Sequence, residues 1–198
     1  VMHPVAGLSM LGHVIALAKA AGSDRIAVVV GPGMDKVRAE AEALAPGCAV
    51  FVQENQLGTA DAVLAARPAI ETHRGDVLVL YADTPLIEPA TLSALVASLD
   101  TGVSIGVLGF EPADPTGYGR LITDAAQSVV AIREERDASE AERAVTLCNS
   151  GVKAFRCPSL VDLLDRIGNS NAKGEYYLTD SVGIARSMGL SARAIVCP

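Results

Sequence analysis

With 198 residues, 50% hydrophobic content and a mean hydropathy of +0.34, the chain can bury a sizeable core, and one domain over residues 1–198 is the natural prediction. Its formal net charge of −7 argues against sequence-independent binding of nucleic acid, which requires a clustered basic surface. No apolar run approaches the roughly 18 to 20 residues of a membrane helix, and the first residues do not form a signal peptide. We therefore expect neither a nucleic-acid partner nor a membrane partner.

The first half of the chain alternates between helical and extended patterns. Apolar residues at helical spacing before Gly22 predict a helix over residues 9–21, and the β-branched run that follows ends at Gly31. The same criteria predict helices over 34–44, 59–66 and 89–99, and strands over 26–30, 49–52 and 77–81. Such alternation is typical of a parallel sheet with helices on both faces.

The second half of the chain does not continue this regular alternation of helix and strand. A strand over residues 103–110 leads into a segment rich in proline and glycine, and short strands at 120–123 and 129–132 predict a small β excursion beside the substrate. The remaining predicted elements are a strand near 146–155, helices over 158–167 and 177–188, and a strand over 192–196. The predicted fold class is α/β and Rossmann-like, with a mixed, mostly parallel central sheet and helices on both faces.

Two short polar segments follow successive strands of the first half. Gln53 to Thr59 is an amide-rich turn that contains a glycine, and Asp83 comes just beyond the apolar strand that begins at Val77. Open α/β sheets bind ligands at the carboxyl ends of their strands, so we expect the two segments to lie side by side there. A carboxylate in this place suits a metal ion on a nucleotide phosphate, and an aspartate that only caps its own turn is the alternative.

Five motifs in one order resemble the uridylyltransferase domain of bacterial bifunctional UDP-N-acetylglucosamine pyrophosphorylase and glucosamine-1-phosphate N-acetyltransferase. They are Gln53-x-x-Gln56-Leu57-Gly58-Thr59, Leu80-Tyr81-x-Asp83-x-Pro85-Leu86, Asp114-Pro115-x-Gly117-Tyr118-Gly119-Arg120, Asn149-x-Gly151 and Gly174-Glu175-Tyr176-Tyr177-Leu178-Thr179-Asp180. Each motif alone is weak, but five in order, each at a predicted turn or strand end, are a specific signal. The resemblance runs from His3 almost to the end of the chain and implies the fold of the nucleotide-diphospho-sugar transferases.

The resemblance also implies roles for particular residues. The implied uracil-binding residues are Gln53, Gln56, Gly58 and Thr59; the implied catalytic and Mg²⁺-binding residue is Asp83; and the implied sugar and phosphate residues are Gly119, Glu134, Asn149, Tyr81, Tyr177 and Thr179. A side-chain amide suits the mixed donor and acceptor edge of uracil, and glycine lets a base approach the backbone closely. Glu134 belongs to a charged run, and a shift of one residue in the match would give its role to Glu135.

The implied reaction joins UTP and N-acetylglucosamine-1-phosphate. A phosphate oxygen of the sugar phosphate attacks the α-phosphorus of UTP, which gives UDP-N-acetylglucosamine, a cell-envelope precursor, and releases pyrophosphate. Because the nucleophile is already an anion, catalysis would depend on in-line positioning and on neutralisation of charge by Mg²⁺ and cationic groups.

The chain departs from the family pattern at both ends. The family's glycine-rich loop and a lysine precede the His3-Pro4 pair, while an asparagine that supplies a second metal ligand and the acetyltransferase half come later; all lie outside residues 1–198. We therefore expect a domain truncated at both ends relative to the family, with little or no activity from these residues alone. Whether the full-length protein is a homo-oligomer stays open.

Two other function classes also stay open. One is a pyrophosphorylase for another sugar phosphate or nucleotide, and the other is a non-catalytic nucleotide-sugar-binding or regulatory module on the same fold. A zinc site is not indicated, because the three histidines and four cysteines lack metal-ligand spacing. The dispersed cysteines instead indicate reduced thiols and a cytoplasmic location.

Overall fold

The computed structural model describes residues 1–197, in which short strands alternate with helices. The strands are β1 (Pro4–Val5), β2 (Leu8–Ser9), β3 (Ala27–Val30), β4 (Ala49–Val52), β5 (Asp76–Val79), β6 (Ile105–Phe110), β7 (Arg120–Thr123), β8 (Val129–Arg133), β9 (Cys148–Arg156) and β10 (Ala192–Val196). The helices are α1 (Met10–Ala20), α2 (Asp35–Leu44), α3 (Thr59–Ala65), α4 (Arg67–Glu71), α5 (Pro89–Ala97), α6 (Glu140–Arg143), α7 (Cys157–Arg166) and α8 (Asp180–Ser187). A 3-10 turn, Ser98–Thr101, follows α5.

The central sheet is mixed. Its strands follow the order β10-β6-β9-β7-β8, and β5 also pairs with β9. β10 runs parallel to β6, whereas β9 runs antiparallel to β5, β6 and β7. The predicted α/β class with a mixed sheet is confirmed. The sheet is not mostly parallel as predicted, because among residues 1–197 its only parallel strand pairing is that of β10 with β6.

The prediction of one parallel sheet through the first half of the chain is wrong. β3 and β4 form a parallel pair of their own, and β5 belongs to the central sheet instead. The partner of β5 is β9, which comes much later in the chain and runs in the opposite direction. Among residues 1–197, the two polar turns after β4 and β5 therefore follow strands of different sheets.

Helices cover both faces of the central sheet, as predicted. Successive strand residues point to opposite faces, and on β5 Val77 and Val79 pack with helices α3, α4, α7 and α8. Leu78 lies on the other face with α1, α5 and the 3-10 turn. A third apolar cluster joins α1 and α2 to β3 and β4. No helix formed by residues 1–197 combines the length and apolar character that crossing a membrane requires.

The last helix begins later than predicted, at Asp180 instead of Tyr177. The backbone N–H of Tyr176 donates to Leu57 O at 2.8 Å, and Ala60 N–H donates to Tyr176 O at 2.9 Å. Leu178 N–H donates to the Thr59 hydroxyl, also at 2.8 Å. Because Tyr176 O accepts a bond from Ala60 N–H, Asp180 N–H donates to Tyr177 O at 3.1 Å instead, and the regular helix begins only at Asp180.

Three short elements were not predicted: the β1–β2 hairpin, α4 and α6. The hairpin turns at Ala6 and Gly7, both at positive φ. For α6 a local signal exists in the sequence, because Ser139 and Glu142 form a capping box. The other predicted helices and strands agree with the structure to within a few residues, and Ser9 caps α1 by accepting a bond from Gly12 N–H at 2.9 Å.

We expect the face covered by α5 to contribute strongly to stability. Leu95 is 0% exposed there, whereas Leu86, in the loop before α5, is 78% exposed. Leu95→Ala should lower the free energy of unfolding by roughly 2 to 5 kcal/mol because it leaves a cavity. The matched change Leu86→Ala should alter it by no more than about 0.5 kcal/mol. Urea unfolding measures both, and equal effects would contradict this account of the core.

Candidate active site

Tyr81 lies at the centre of a polar cluster just beyond the carboxyl end of β5. Its ring comes within 3.1 Å of the position that a Cβ on Gly151 would occupy. Burial raises the pKa of Tyr81 to about 12, a hydrogen bond with Thr59 opposes this rise, and the carboxylates of Glu134 and Asp83 add to it. The phenol therefore stays neutral at physiological pH, within electrostatic reach of both carboxylates.

The turn after β4 holds Gln53 in a fixed orientation. The side-chain amide nitrogen of Gln53 donates to Gly58 O at 2.9 Å and to the Asp61 carboxylate at 2.8 Å. The same carboxylate accepts a bond from Leu57 N–H at 3.1 Å. Both amide hydrogens of Gln53 are thus used within the protein, and its carbonyl oxygen is left to accept a bond from a ligand. Sequence reasoning missed Asp61, which organises this turn.

Gly58 occupies a position that only glycine fits. Its φ is +126°, and a Cβ there would lie 2.5 Å from Tyr176 O. The neighbouring Gln56 is exposed, and its amide nitrogen lies 2.8 Å from where a Cβ on Gly31 would be, at the end of β3. The turn therefore packs against the segment before α8 on one side and against the end of β3 on the other.

Gly119, Glu134, Asn149 and Thr179 lie together, although they come from four separate segments. Asn149 N–H donates to Gly119 O at 2.8 Å, and the Glu134 carboxylate lies 3.5 Å from the Cβ position of Gly119. The Thr179 hydroxyl donates to Glu134 Oε1 at 3.1 Å. These contacts bring together residues that the sequence resemblance assigns to binding of the sugar and its phosphate.

Glu134, and not Glu135, faces this cluster. The carboxylate of Glu135 instead lies 2.9 Å from the guanidinium of Arg120, whose side chain is only 2% exposed. Tyr177, two residues before Thr179, is also buried. Burial raises the pKa of Tyr177, and the carboxylates of Asp137, Glu175 and Glu134 add to this effect. The geometry thus separates two adjacent carboxylates, one in the cluster and one paired with arginine.

Asp83 is exposed in the turn that follows Tyr81. Thr84 closes this turn, since its backbone N–H and its hydroxyl both donate to Tyr81 O, at 3.2 and 2.9 Å. Within residues 1–197 the Asp83 carboxylate makes no hydrogen bond or ion pair, so the alternative that Asp83 only caps its turn has no supporting bond. Its carboxylate remains free for a ligand.

Contacts do not join all of the predicted site residues directly. Among residues 1–197, Gln53 is linked to the rest through Gly58, and the adjacent Thr59 accepts a bond from Leu178 N–H in the segment before α8. In the part of the chain that the structure describes, no group of three histidine, cysteine or acidic side chains could hold a metal ion. Any metal at Asp83 therefore needs further ligands from elsewhere.

One charged residue in the cluster was missed by sequence reasoning. Lys153 in β9 is 0% exposed, and its ammonium donates to Gly151 O at 2.9 Å and lies 3.5 Å from Asn149 Oδ1. Burial lowers the pKa of Lys153 to about 8, against the opposing effect of Glu134. The available signal was a lysine inside the apolar run Val152-Lys153-Ala154-Phe155.

A mixed α/β sheet with polar residues gathered beyond its strand ends is an arrangement that commonly binds ligands at that edge. The chain belongs to the MobA-like NTP transferase domain family, whose model matches residues 1–146. This membership confirms the predicted class, a nucleotidyltransferase.

Relatives carry the name Bifunctional protein GlmU. The chain is 59% identical to the protein of Xanthobacter autotrophicus and 58% identical to that of Azorhizobium caulinodans, each over 194 residues. It is 56% identical to the protein of a Bradyrhizobium species over 195 residues. These matches cover 98% of this chain and 43% of each relative, so the chain spans less than half of their length. They confirm the resemblance that the five motifs predicted.

Solved structures share the fold at much lower sequence identity. A UDP-glucose pyrophosphorylase complexed with UDP-glucose aligns with a TM-score of 0.78 and 15% identity, over 98% of this chain and 81% of that one. An apo UDP-glucose pyrophosphorylase aligns with a TM-score of 0.79 and 16% identity over the same shares. These likenesses confirm the predicted nucleotidyltransferase fold.

We expect Gly58→Ala to disrupt the junction between the turn after β4 and Tyr176. The added methyl group would collide with backbone atoms at a positive φ, so the free energy of unfolding should fall by about 2 kcal/mol or more. Gly183→Ala is the matched control, because Gly183 lies in α8 with open space around it and should gain up to about 1 kcal/mol of helix stability. Urea unfolding distinguishes them, and a neutral Gly58→Ala would contradict the close approach.

We expect Lys153→Met to stabilise the protein at neutral pH. The folded protein lowers the pKa of Lys153 to about 8, against about 10.4 when unfolded, so burying its charge costs stability in full below pH 8. Lys153→Met removes that cost of about 3 kcal/mol and loses a hydrogen bond worth about 1 kcal/mol. The free energy of unfolding should therefore rise by about 2 kcal/mol at pH 7.

This gain should shrink as the pH rises from 8 towards about 10.4, because wild-type Lys153 then becomes neutral. Urea unfolding at both ends of this range measures it. Lys36→Met, the same change at an exposed helix position, should show no such pH dependence. A gain that is identical at the two pH values would contradict the buried charge.

Proposed function

We propose that the protein containing this chain is a Mg²⁺-dependent uridylyltransferase that joins UTP and N-acetylglucosamine-1-phosphate. The products are UDP-N-acetylglucosamine and pyrophosphate, made in the cytoplasm for the cell envelope. The observation that carries the proposal is the contact network around Glu134, which links Gly119, Asn149 and Thr179 from distant parts of the chain. The identity of 50% or more to several Bifunctional protein GlmU sequences supports the same assignment.

The turn after β4 suits the uracil ring. Because the amide hydrogens of Gln53 are held by Gly58 and Asp61, the Gln53 carbonyl oxygen accepts the N3–H of uracil. Gln56 is exposed beside it and offers a second amide. Fixing the amide in advance lowers the entropy cost of binding, which favours a base with a donor at this position.

Asp83 suits a Mg²⁺ ion that takes most of its ligands from phosphates and water. Mg²⁺ commonly uses one or two protein carboxylates together with substrate phosphate oxygens. An exposed carboxylate without a hydrogen-bond partner in residues 1–197 fits this use. When bound, the ion would neutralise charge on the triphosphate and on the phosphate that attacks it.

The cluster of Gly119, Glu134 and Asn149 suits the sugar. The Glu134 carboxylate accepts bonds from sugar hydroxyls while the Thr179 hydroxyl holds it in place. Tyr81 and Tyr177 have raised pKa values and remain neutral, so their side chains can contact the sugar phosphate without repelling it. No side chain needs to remove a proton, because the attacking phosphate oxygen is already an anion, and the residues act by orienting the two substrates.

We expect Asp83→Ala to lower pyrophosphate release by the full-length protein on the order of 100-fold, because the ion would lose its protein ligand. Asp162→Ala, on the exposed side of α7, is the matched control and should leave turnover unchanged. The assay follows pyrophosphate from UTP with and without N-acetylglucosamine-1-phosphate and Mg²⁺. Full turnover by Asp83→Ala would refute the metal assignment.

The same assay distinguishes the rival functions. Higher kcat/KM with glucose-1-phosphate or with another nucleotide would assign the site to a different pyrophosphorylase. Binding of UDP-N-acetylglucosamine by the full-length protein, without turnover of any sugar phosphate, would assign it to a binding module instead.

A further inference from the structure

Lys153 occupies a position where an apolar residue is expected. In β9 its Cα partners are Val79 on β5 and Val107 on β6, so its stem lies between two valines on one face of the central sheet. The side chain is 0% exposed, and no carboxylate within residues 1–197 forms an ion pair with it. Burying an amine without a close counter-charge opposes folding. The hydrogen bonds of the ammonium group are therefore the place to look for a reason why lysine occupies this position.

That tip points along β9 towards the sugar cluster. Its ammonium donates to Gly151 O at 2.9 Å and lies 3.5 Å from Asn149 Oδ1. The backbone N–H of Gly151 donates to the same Asn149 oxygen at 3.2 Å. Two donors on one oxygen determine which way the carboxamide faces, since the reversed amide would set its own N–H groups against them.

The opposite end of the Asn149 carboxamide is unused by the protein. Across residues 1–197 its NH₂ group makes no hydrogen bond, while its backbone N–H is bound to Gly119 O at 2.8 Å. A carboxamide held in this way presents donors only, so it selects an acceptor oxygen on a ligand, such as an acetamido carbonyl or a hydroxyl. The Glu134 carboxylate lies 3.5 Å from the Cβ position of Gly119, the residue whose carbonyl oxygen binds Asn149 N–H.

We propose that Lys153 is a positioning residue for the sugar half of the ligand: it fixes the Asn149 carboxamide with its NH₂ group towards the sugar. This inference rests on the uridylyltransferase function proposed above and adds to it a residue that acts through Asn149. The negative charge of Glu134 also raises the pKa of Lys153, which opposes the effect of burial. The ammonium thus serves the site at the expense of fold stability, a common relation at functional positions.

The test compares two ligands that differ only by the sugar. In the full-length protein, Lys153→Met should weaken binding of UDP-N-acetylglucosamine about 10-fold and change binding of UDP less than about 2-fold, measured by calorimetry. The KM for N-acetylglucosamine-1-phosphate should rise by a similar factor, with the KM for UTP unchanged. Lys36→Met, at an exposed position in α2, should alter neither ligand.

A double-mutant cycle shows whether Lys153 acts through Asn149. Asn149→Ala should itself weaken UDP-N-acetylglucosamine binding about 10-fold, and adding Lys153→Met to it should cause no further loss. A purely structural lysine would give additive losses and would weaken UDP as well. Additive losses, parallel loss of UDP, or unchanged affinity in Lys153→Met would each overturn the proposal.

Ligand binding by the unsubstituted protein and by Lys153→Met distinguishes a failure of the proposed function from a failure of the role proposed for Lys153. If the unsubstituted full-length protein binds neither UDP nor UDP-N-acetylglucosamine, the uridylyltransferase assignment falls, and the role of Lys153 falls with it. If that protein binds both ligands and turns over, but Lys153→Met behaves like Lys36→Met, only the role of Lys153 is refuted.

Discussion

The antiparallel pairing of β9 with β5 determines where the site forms. Because the two strands run in opposite directions, the beginning of β9 lies beside the carboxyl end of β5, and the Val79–Lys153 register brings Gly151 next to Tyr81. β7 adds to the same end of β9 through the Arg120–Cys148 pair. Residues on three strands that are far apart in sequence are thus brought together by one set of backbone ladders.

A second constraint links the turn after β4 to this end of the sheet. Within residues 1–197, β3 and β4 share no ladder with the central sheet, so the position of Gln53 relative to Glu134 depends on other bonds. The segment before α8 supplies them by bonding backbone groups of residues 57–60 and the Thr59 hydroxyl. This explains why a glycine is required at residue 58, since any Cβ would separate the two segments.

The sequence predicts what is local and misses what is distant. Asp83 was predicted as a metal ligand from its place beyond an apolar strand, and that role stays a prediction. Helix α1 was predictable because Ser9 and a regular apolar pattern lie within or beside the element itself. The partner of β5 was not, because βα alternation favours parallel neighbours and β9 lies some seventy residues later in the chain. Lys153 lies inside an apolar run, which is a local signal, but its enclosure depends on pairing with Val79 and Val107 on strands far away in the sequence.

The carboxylates of the cluster would repel an anionic ligand. Asp83 and Glu134 act on Tyr81, and Asp180 has a pKa raised mainly by burial, with Glu134 and Asp137 adding to the effect against Arg133. An acidic site of this kind binds an anionic ligand only if cations offset the repulsion. The divalent ion proposed above for the exposed Asp83 would supply one such cation. In the same cluster, the pKa of buried Lys153 is lowered to about 8 by burial and raised in opposition by Glu134, so the chain itself supplies a cation at neutral pH where solvent cations do not reach.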